Sequence, residues 1–183
     1  MLTLLLGGAR SGKSGLAVQL ASAQLSPAIV VATGEGLDDE MAERIAVHRA
    51  ARPACWTTVE EPIDLERAVR ACADSSTVVV DCLTLWVSNL LSAGRDDSDI
   101  LTMAASVAGR SAQRSGKTIV VSNEVGSGIV PGDPVSRRYR DLLGRVNTIF
   151  AEQARDAFLV VAGRVIALEP APVQPAPIGA PAS

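Results

Sequence analysis

The stretch Gly7-Gly8-Ala9-Arg10-Ser11-Gly12-Lys13-Ser14 constrains this chain more than any other. It satisfies every fixed position of the G-x-x-x-x-G-K-[ST] pattern, comes after the apolar run Leu2–Leu6 and opens the helical stretch Gly15–Gln24. Strand, glycine turn and helix in that order make a phosphate cradle. Glycines let the backbone turn tightly and aim N–H groups inward, and the helix N-terminus adds positive potential. Lys13 is then placed to reach the β- and γ-phosphates of a nucleotide, and the Ser14 hydroxyl to ligate Mg²⁺. The bland alternative is a glycine turn that only joins a strand to a helix. The pattern predicts nucleotide binding and leaves the fate of the nucleotide open.

The rest of the chain suits the same architecture. Val/Ile/Leu-rich runs recur at Ile29–Ala32, Val78–Asp81, Thr118–Ser122 and Phe158–Val161, separated by longer stretches of helical patterning. Hydrophobic residues make up 48% of the chain but aromatics only 3%, so the core must be built from Val, Leu, Ile and Ala. That mixture suits parallel strands buried on both faces. The expected fold is an α/β P-loop NTPase of RecA-like type, a mostly parallel sheet covered by helices. Gly163 breaks two apolar runs, so Phe158–Val161 and Val165–Leu168 are expected to form a C-terminal β-hairpin. Residues 1–168 read as a single catalytic domain. The Pro/Ala-rich tail, 169–183, has no apolar period and is expected to be extended and mobile.

Charge and cysteines narrow the function classes. A net charge of −3 argues against a broad nucleic-acid surface. Three cysteines without metal-ligand spacing, Cys55, Cys72 and Cys82, read as reduced thiols of a cytoplasmic protein. No uncharged apolar run reaches the ~18 residues of a spanning helix, and Leu2–Leu6 lacks a basic leader, so a soluble protein without membrane insertion is expected.

Asp81 ends a buried run, at the sheet edge where α/β proteins bind ligands, and is a candidate Mg²⁺ partner or simply a strand end. His48, the only histidine, shares a helix face with Met41 and Ile45. That spacing fits a packed core histidine. It also fits a nucleophile, since neutral imidazole can attack phosphorus and form a phosphoramidate. Arg49 and Arg52 lie close by, as phosphate partners or as solvated cations. The segment Asn123–Pro131 brings Gly126, Gly128 and Glu124 to the same expected edge, with Glu124 a possible base or metal partner. Arg137, Arg138 and Arg140 read either as substrate or subunit contacts or as helix-surface charge.

Several segments recur together in one order: the loop Gly7–Ser14, Ala32-Thr33-Gly34, Asp38-Asp39-Glu40-Met41, Arg44-Ile45 with His48, Arg52-Pro53, Trp56 and Asn123–Pro131. This set closely resembles the bifunctional adenosylcobinamide kinase/adenosylcobinamide-phosphate guanylyltransferase family of cobalamin biosynthesis, over about Met1–Leu168. The resemblance implies two reactions. ATP or GTP phosphorylates adenosylcobinamide; GTP then guanylylates a histidine, and the GMP passes to adenosylcobinamide phosphate to give adenosylcobinamide-GDP. It maps the guanylylated histidine onto His48. It maps further nucleotide contacts onto Ala32, Thr33 and Gly34, onto Arg49, Ala50, Ala51 and Arg52, and onto Glu60 and Asp81. It also implies a homotrimer. Members often carry a histidine just before the nucleophile, where this chain has Val47 and so no neighbouring imidazole to shuttle protons. A kinase of another metabolite, and a RecA-like ATPase cycling on nucleic acid or a protein, are the competing functions. Acidic charge and scarce aromatics weigh against the nucleic-acid version.

Overall fold

The computed structural model describes residues 1–36 and 38–172; Leu37 and most of the expected tail, 173–183, lie outside the described residues. Seven strands form one sheet: β1 (Leu2–Leu6), β2 (Ile29–Ala32), β3 (Thr57–Glu60), β4 (Val78–Asp81), β5 (Thr118–Val121), β6 (Asp156–Val161) and β7 (Arg164–Ala167). Their spatial order is β3-β2-β4-β5-β1-β6-β7. Every neighbouring pair is parallel except β6 with β7, the antiparallel hairpin expected from sequence. That hairpin starts and ends earlier than the apolar runs suggested, with Val161 paired to Arg164 across Ala162 and Gly163. Both turn residues are left-handed, at φ 51° and 73°, the combination that matches the strands' twist. β3 is an addition. Thr57-Thr58-Val59-Glu60 pairs only with β2 at the sheet's edge and carries no continuous apolar run to announce it.

Among the described residues, six helices cover the sheet: α1 (Lys13–Ser22), α2 (Asp39–Ala50), α3 (Leu65–Ala71), α4 (Leu83–Ser92), α5 (Asp97–Gln113) and α6 (Pro134–Gln153). α1 begins two residues before the predicted Gly15, so Lys13 and Ser14 sit in its first turn. Asp38, Asp64, Asp96 and Asp133 cap α2, α3, α5 and α6, each accepting a hydrogen bond from a backbone N–H three residues on.

Strand alternation divides the core. Leu2, Leu4, Val31, Val78, Val80 and Val120 point to one face, where α3 to α6 bring Trp86, Leu90, Val107, Leu143 and Phe150. Each fully buried Leu or Phe there stabilises the fold by roughly 1.5–3 kcal/mol. Leu5, Val30, Val79, Ile119 and Val121 point to the other face and meet Ala17 and Ala21 of α1. The second layer is far thinner, and α2 adds no buried residue to it.

Register then sets the site. Ala32 lies opposite Glu60 on one side and Asp81 on the other, and Asp81 lies opposite Val121, which faces Leu5 of β1. The carboxyl ends of five parallel strands therefore align at one edge, directly beside the glycine loop. Among the described residues, no helix is long and apolar enough to cross a membrane.

Candidate functional site

The loop leaving β1 is held by glycine chemistry at two points. Gly7 has φ +151°, and a Cβ there would lie 2.3 Å from the Val160 carbonyl oxygen of β6. Only glycine fits. Gly12 has φ +105°, and a Cβ there would lie 3.4 Å from Gly163 Cα in the hairpin turn. Gly163 N–H also donates to Ser11 O at 2.8 Å. The β6–β7 turn thus braces the loop from outside and holds the Ser11 carbonyl turned toward the hairpin. α1 opens at Gly12 without the side-chain cap that Asp supplies to α2, α3, α5 and α6, so its first N–H groups stay available to phosphate oxygens.

Lys13 is 6% exposed and donates to Gly7 O at 2.8 Å, to Gly8 O at 2.6 Å and to Ser11 Oγ at 3.4 Å. The ammonium thus sits on the loop's own oxygens rather than extending into open space. Burial pushes it below the usual lysine range, partly opposed by the negative charge of Asp81. A phosphate arriving in the loop offers this cation a full charge in place of carbonyl dipoles.

Asp81, at the end of β4, is paired. Arg52 Nη2 donates to its Oδ2 at 3.0 Å, and Arg52 Nη1 reaches Thr58 Oγ1 at 3.4 Å. The side chains of this pair are 11% and 19% exposed. Glu60 meets Arg49 at 3.6 Å, with both side chains largely in solvent. Thr33 is fully buried; its hydroxyl donates to Cys82 O at 2.6 Å and accepts from Cys82 N at 2.9 Å. It fixes the chain after β4 and turns no side-chain atom to the open site.

His48 departs from the packed-core reading. No residue of α2 is buried, and the imidazole is half-exposed. It lines the same cavity as the glycine loop, a space of about 850 Å³. Ala9 to Ser14, Ala32, Gly34, Arg49, Arg52, Glu60 and Asp81 share that lining. Of the other candidates, Gly7, Gly8, Thr33, Ala50 and Ala51 do not line it. Ala51 instead borders an adjoining cavity of about 360 Å³ that also touches Ser14, His48, Arg52 and Asp81.

Sequence reasoning gave no site role to Glu40, Glu43 or Arg44, which share this cavity with His48. Glu40, Arg44 and His48 recur at i, i+4 and i+8, so one helix face is polar and turned inward. It also missed how Asn123 is held at the rim. Its N–H donates to Thr84 Oγ1 at 2.8 Å, and its carbonyl accepts from Asn147, which Ser122 bonds at 2.6 Å. Glu124 turns back onto the Gly126 N–H and does not line the cavity. Arg137 donates to the carbonyls of Pro131 and Gly132, while Arg138 and Arg140 pair with Asp97 and Asp141. Those three arginines are occupied within the chain.

Among the described residues, no three His, Cys, Asp or Glu side chains gather as a metal cluster. A hydroxyl at Ser14 and a carboxylate at Asp81 bordering one phosphate cradle nevertheless fit Mg²⁺, which takes few protein oxygens and completes its shell with water and phosphate.

A family model described as cobinamide kinase / cobinamide phosphate guanyltransferase matches residues 3–168. The Pseudomonas aeruginosa protein named bifunctional adenosylcobalamin biosynthesis protein CobP is 42% identical over 177 residues, covering 94% of this chain and all of the relative. The Escherichia coli K12 protein named bifunctional adenosylcobalamin biosynthesis protein CobU is 39% identical, over 89% of this chain and 97% of its own. Among solved structures, a Pyrococcus horikoshii OT3 protein superposes with a TM-score of 0.54 at 12% identity, covering 91% of this chain and 84% of that one. The RadB recombinase superposes at 0.51 with 18% identity, covering 86% and 73%. These distant likenesses establish the RecA-like P-loop NTPase fold.

Proposed function

This chain belongs to the cobinamide kinase / cobinamide phosphate guanyltransferase family, and from that premise we propose how one cavity serves both reactions. Residues 1–168 act as a single catalytic domain. ATP or GTP lies in the Gly7–Ser14 loop, with Lys13 leaving the loop carbonyls for the β- and γ-phosphates. In the kinase reaction, the aminopropanol hydroxyl of adenosylcobinamide attacks the γ-phosphorus. The bond to the nucleoside diphosphate breaks, and the hydroxyl proton is lost to base.

In the second reaction a neutral ring nitrogen of His48 attacks the α-phosphorus of GTP. A nitrogen–phosphorus bond forms, pyrophosphate leaves, and GMP stays on the imidazole. A phosphate oxygen of adenosylcobinamide phosphate then attacks that phosphorus, the nitrogen–phosphorus bond breaks, and adenosylcobinamide-GDP departs. Ser14 and Asp81 would hold Mg²⁺, which when bound neutralises charge on the triphosphate. Arg49, Arg52 and Glu60 surround the bound nucleotide, and Thr33 positions the backbone behind it. We further propose a cytoplasmic homotrimer, as the family resemblance implies. The well-exposed Ile129 and Val135, at 97% and 75%, are consistent with contacts between copies.

One observation carries the nucleophile assignment: the sole imidazole is unsealed and borders the cavity of the phosphate loop. The test separates the two activities. His48→Ala is expected to abolish GMP transfer and keep phosphorylation of adenosylcobinamide. Retained guanylyl transfer in that variant would remove His48 from the mechanism.

A further inference from the structure

Asp81 is paired with a cation of the chain itself. Arg52 donates to its carboxylate at 3.0 Å, and the two side chains are 11% and 19% exposed. A carboxylate this shielded needs a positive partner, because losing one while desolvated is costly. Both residues line the cavity of the phosphate loop and the adjoining one, so the pair stands where a nucleotide's phosphates and their cation would enter. Arg52 is also only weakly held elsewhere. Among the described residues, the guanidinium's single other hydrogen bond, to Thr58 Oγ1, is long at 3.4 Å.

From this geometry we infer that Arg52 is a built-in counter-ion that occupies the cation position at Asp81 until Mg²⁺ and the nucleotide replace it. The inference rests on the reading of Asp81 as a metal partner. A divalent ion satisfies the carboxylate more strongly than one guanidinium bond. The freed guanidinium then faces phosphate oxygens, which accept its planar fork in paired hydrogen bonds. The same side chain therefore opposes binding of a metal ion alone and supports binding of the nucleotide with its metal. The exchange keeps Asp81 from lying uncompensated at any stage. It also discourages a metal ion from lodging at Asp81 without a nucleotide, because only phosphate repays the displaced arginine.

The two roles predict effects of opposite sign. In Arg52→Met, which keeps the apolar stem and removes the charge, the nucleotide-free full chain should bind Mn²⁺ several-fold tighter by EPR titration. The same variant should bind GTP in the presence of Mg²⁺ about tenfold more weakly, the loss of one charge-assisted contact. Thermal melting confirms that the variant is folded, and Arg52→Lys should fall between wild type and Met on both scales. Weaker GTP binding without tighter Mn²⁺ binding overturns the exchange and leaves Arg52 a plain phosphate ligand; unchanged GTP affinity overturns it as well. Asp81→Asn separates the underlying reading. If Mg²⁺ still strengthens GTP binding by the wild-type factor in Asp81→Asn, then Asp81 is no metal partner. If that factor collapses but Arg52→Met gains no Mn²⁺ affinity, the exchange alone fails.

Discussion

The cavity has two walls of opposite construction. The glycine loop is pinned by a backbone contact with no room for a Cβ, by a hairpin N–H and by a lysine bonded to its own carbonyls. α2, which carries His48, buries none of its residues and owes its local order to the Asp38 cap and to acids first and bases last. A helix of this length is marginal in water without a packed face. One wall is therefore preorganised to receive phosphate, a group common to every nucleotide substrate. The other presents His48, the proposed nucleophile, from an element that can adjust at little cost. Chemistry that must act on the γ-phosphorus in one reaction and the α-phosphorus in another is served by fixing one wall and leaving the other lightly held.

The comparison breaks first at the pinned wall. Gly7→Ala should abolish measurable nucleotide binding, since its Cβ meets a backbone oxygen at 2.3 Å and the main chain must shift; calorimetry with GTP checks this. Lys13→Ala should slow both transfers by about 10²–10³-fold, the usual loss when one preorganised donor to developing charge is removed. The pH profile sharpens the same point. Burial lowers the Lys13 pKa, so the ammonium is present below that value and lost above it. GTP affinity should fall as pH rises, and should do so before the 10.5 of an ordinary lysine. Gly163→Ala is milder, because space is open but φ is +73°. Loss of roughly 1 kcal/mol in the turn should weaken GTP binding a few-fold through the Ser11 carbonyl. The smallest effect belongs to the other wall. Ala46→Gly in α2 should leave the melting temperature unchanged and only speed local amide exchange. Ala108→Gly in α5, where the side chain is fully buried, should lower it measurably.

Much of this was readable in the residues, for identifiable reasons. Doubly buried strands such as Val78–Asp81 must be apolar up to their last residue, so their runs stand out, and the glycine loop is legible because few residues adopt its backbone angles. β3 stayed hidden because an edge strand with one neighbour tolerates Thr and Glu. The setting of His48 stayed open for a related reason. Met41, Ile45 and His48 share a face at helical spacing, but spacing cannot say whether that face meets a core or an open cavity. The Arg52–Asp81 pair and the Gly163–Ser11 bond join residues far apart in the chain, and no local pattern encodes them.

On the proposed mechanism, a loop-bound GTP gives up its GMP to the imidazole of α2. Peptide mass mapping of the full chain after GTP treatment, with and without adenosylcobinamide phosphate, addresses it directly. A GMP adduct on the peptide holding His48 that disappears when the acceptor is added is the predicted result. An adduct on any other residue, or product formed with no protein-bound GMP in a rapid quench, contradicts it.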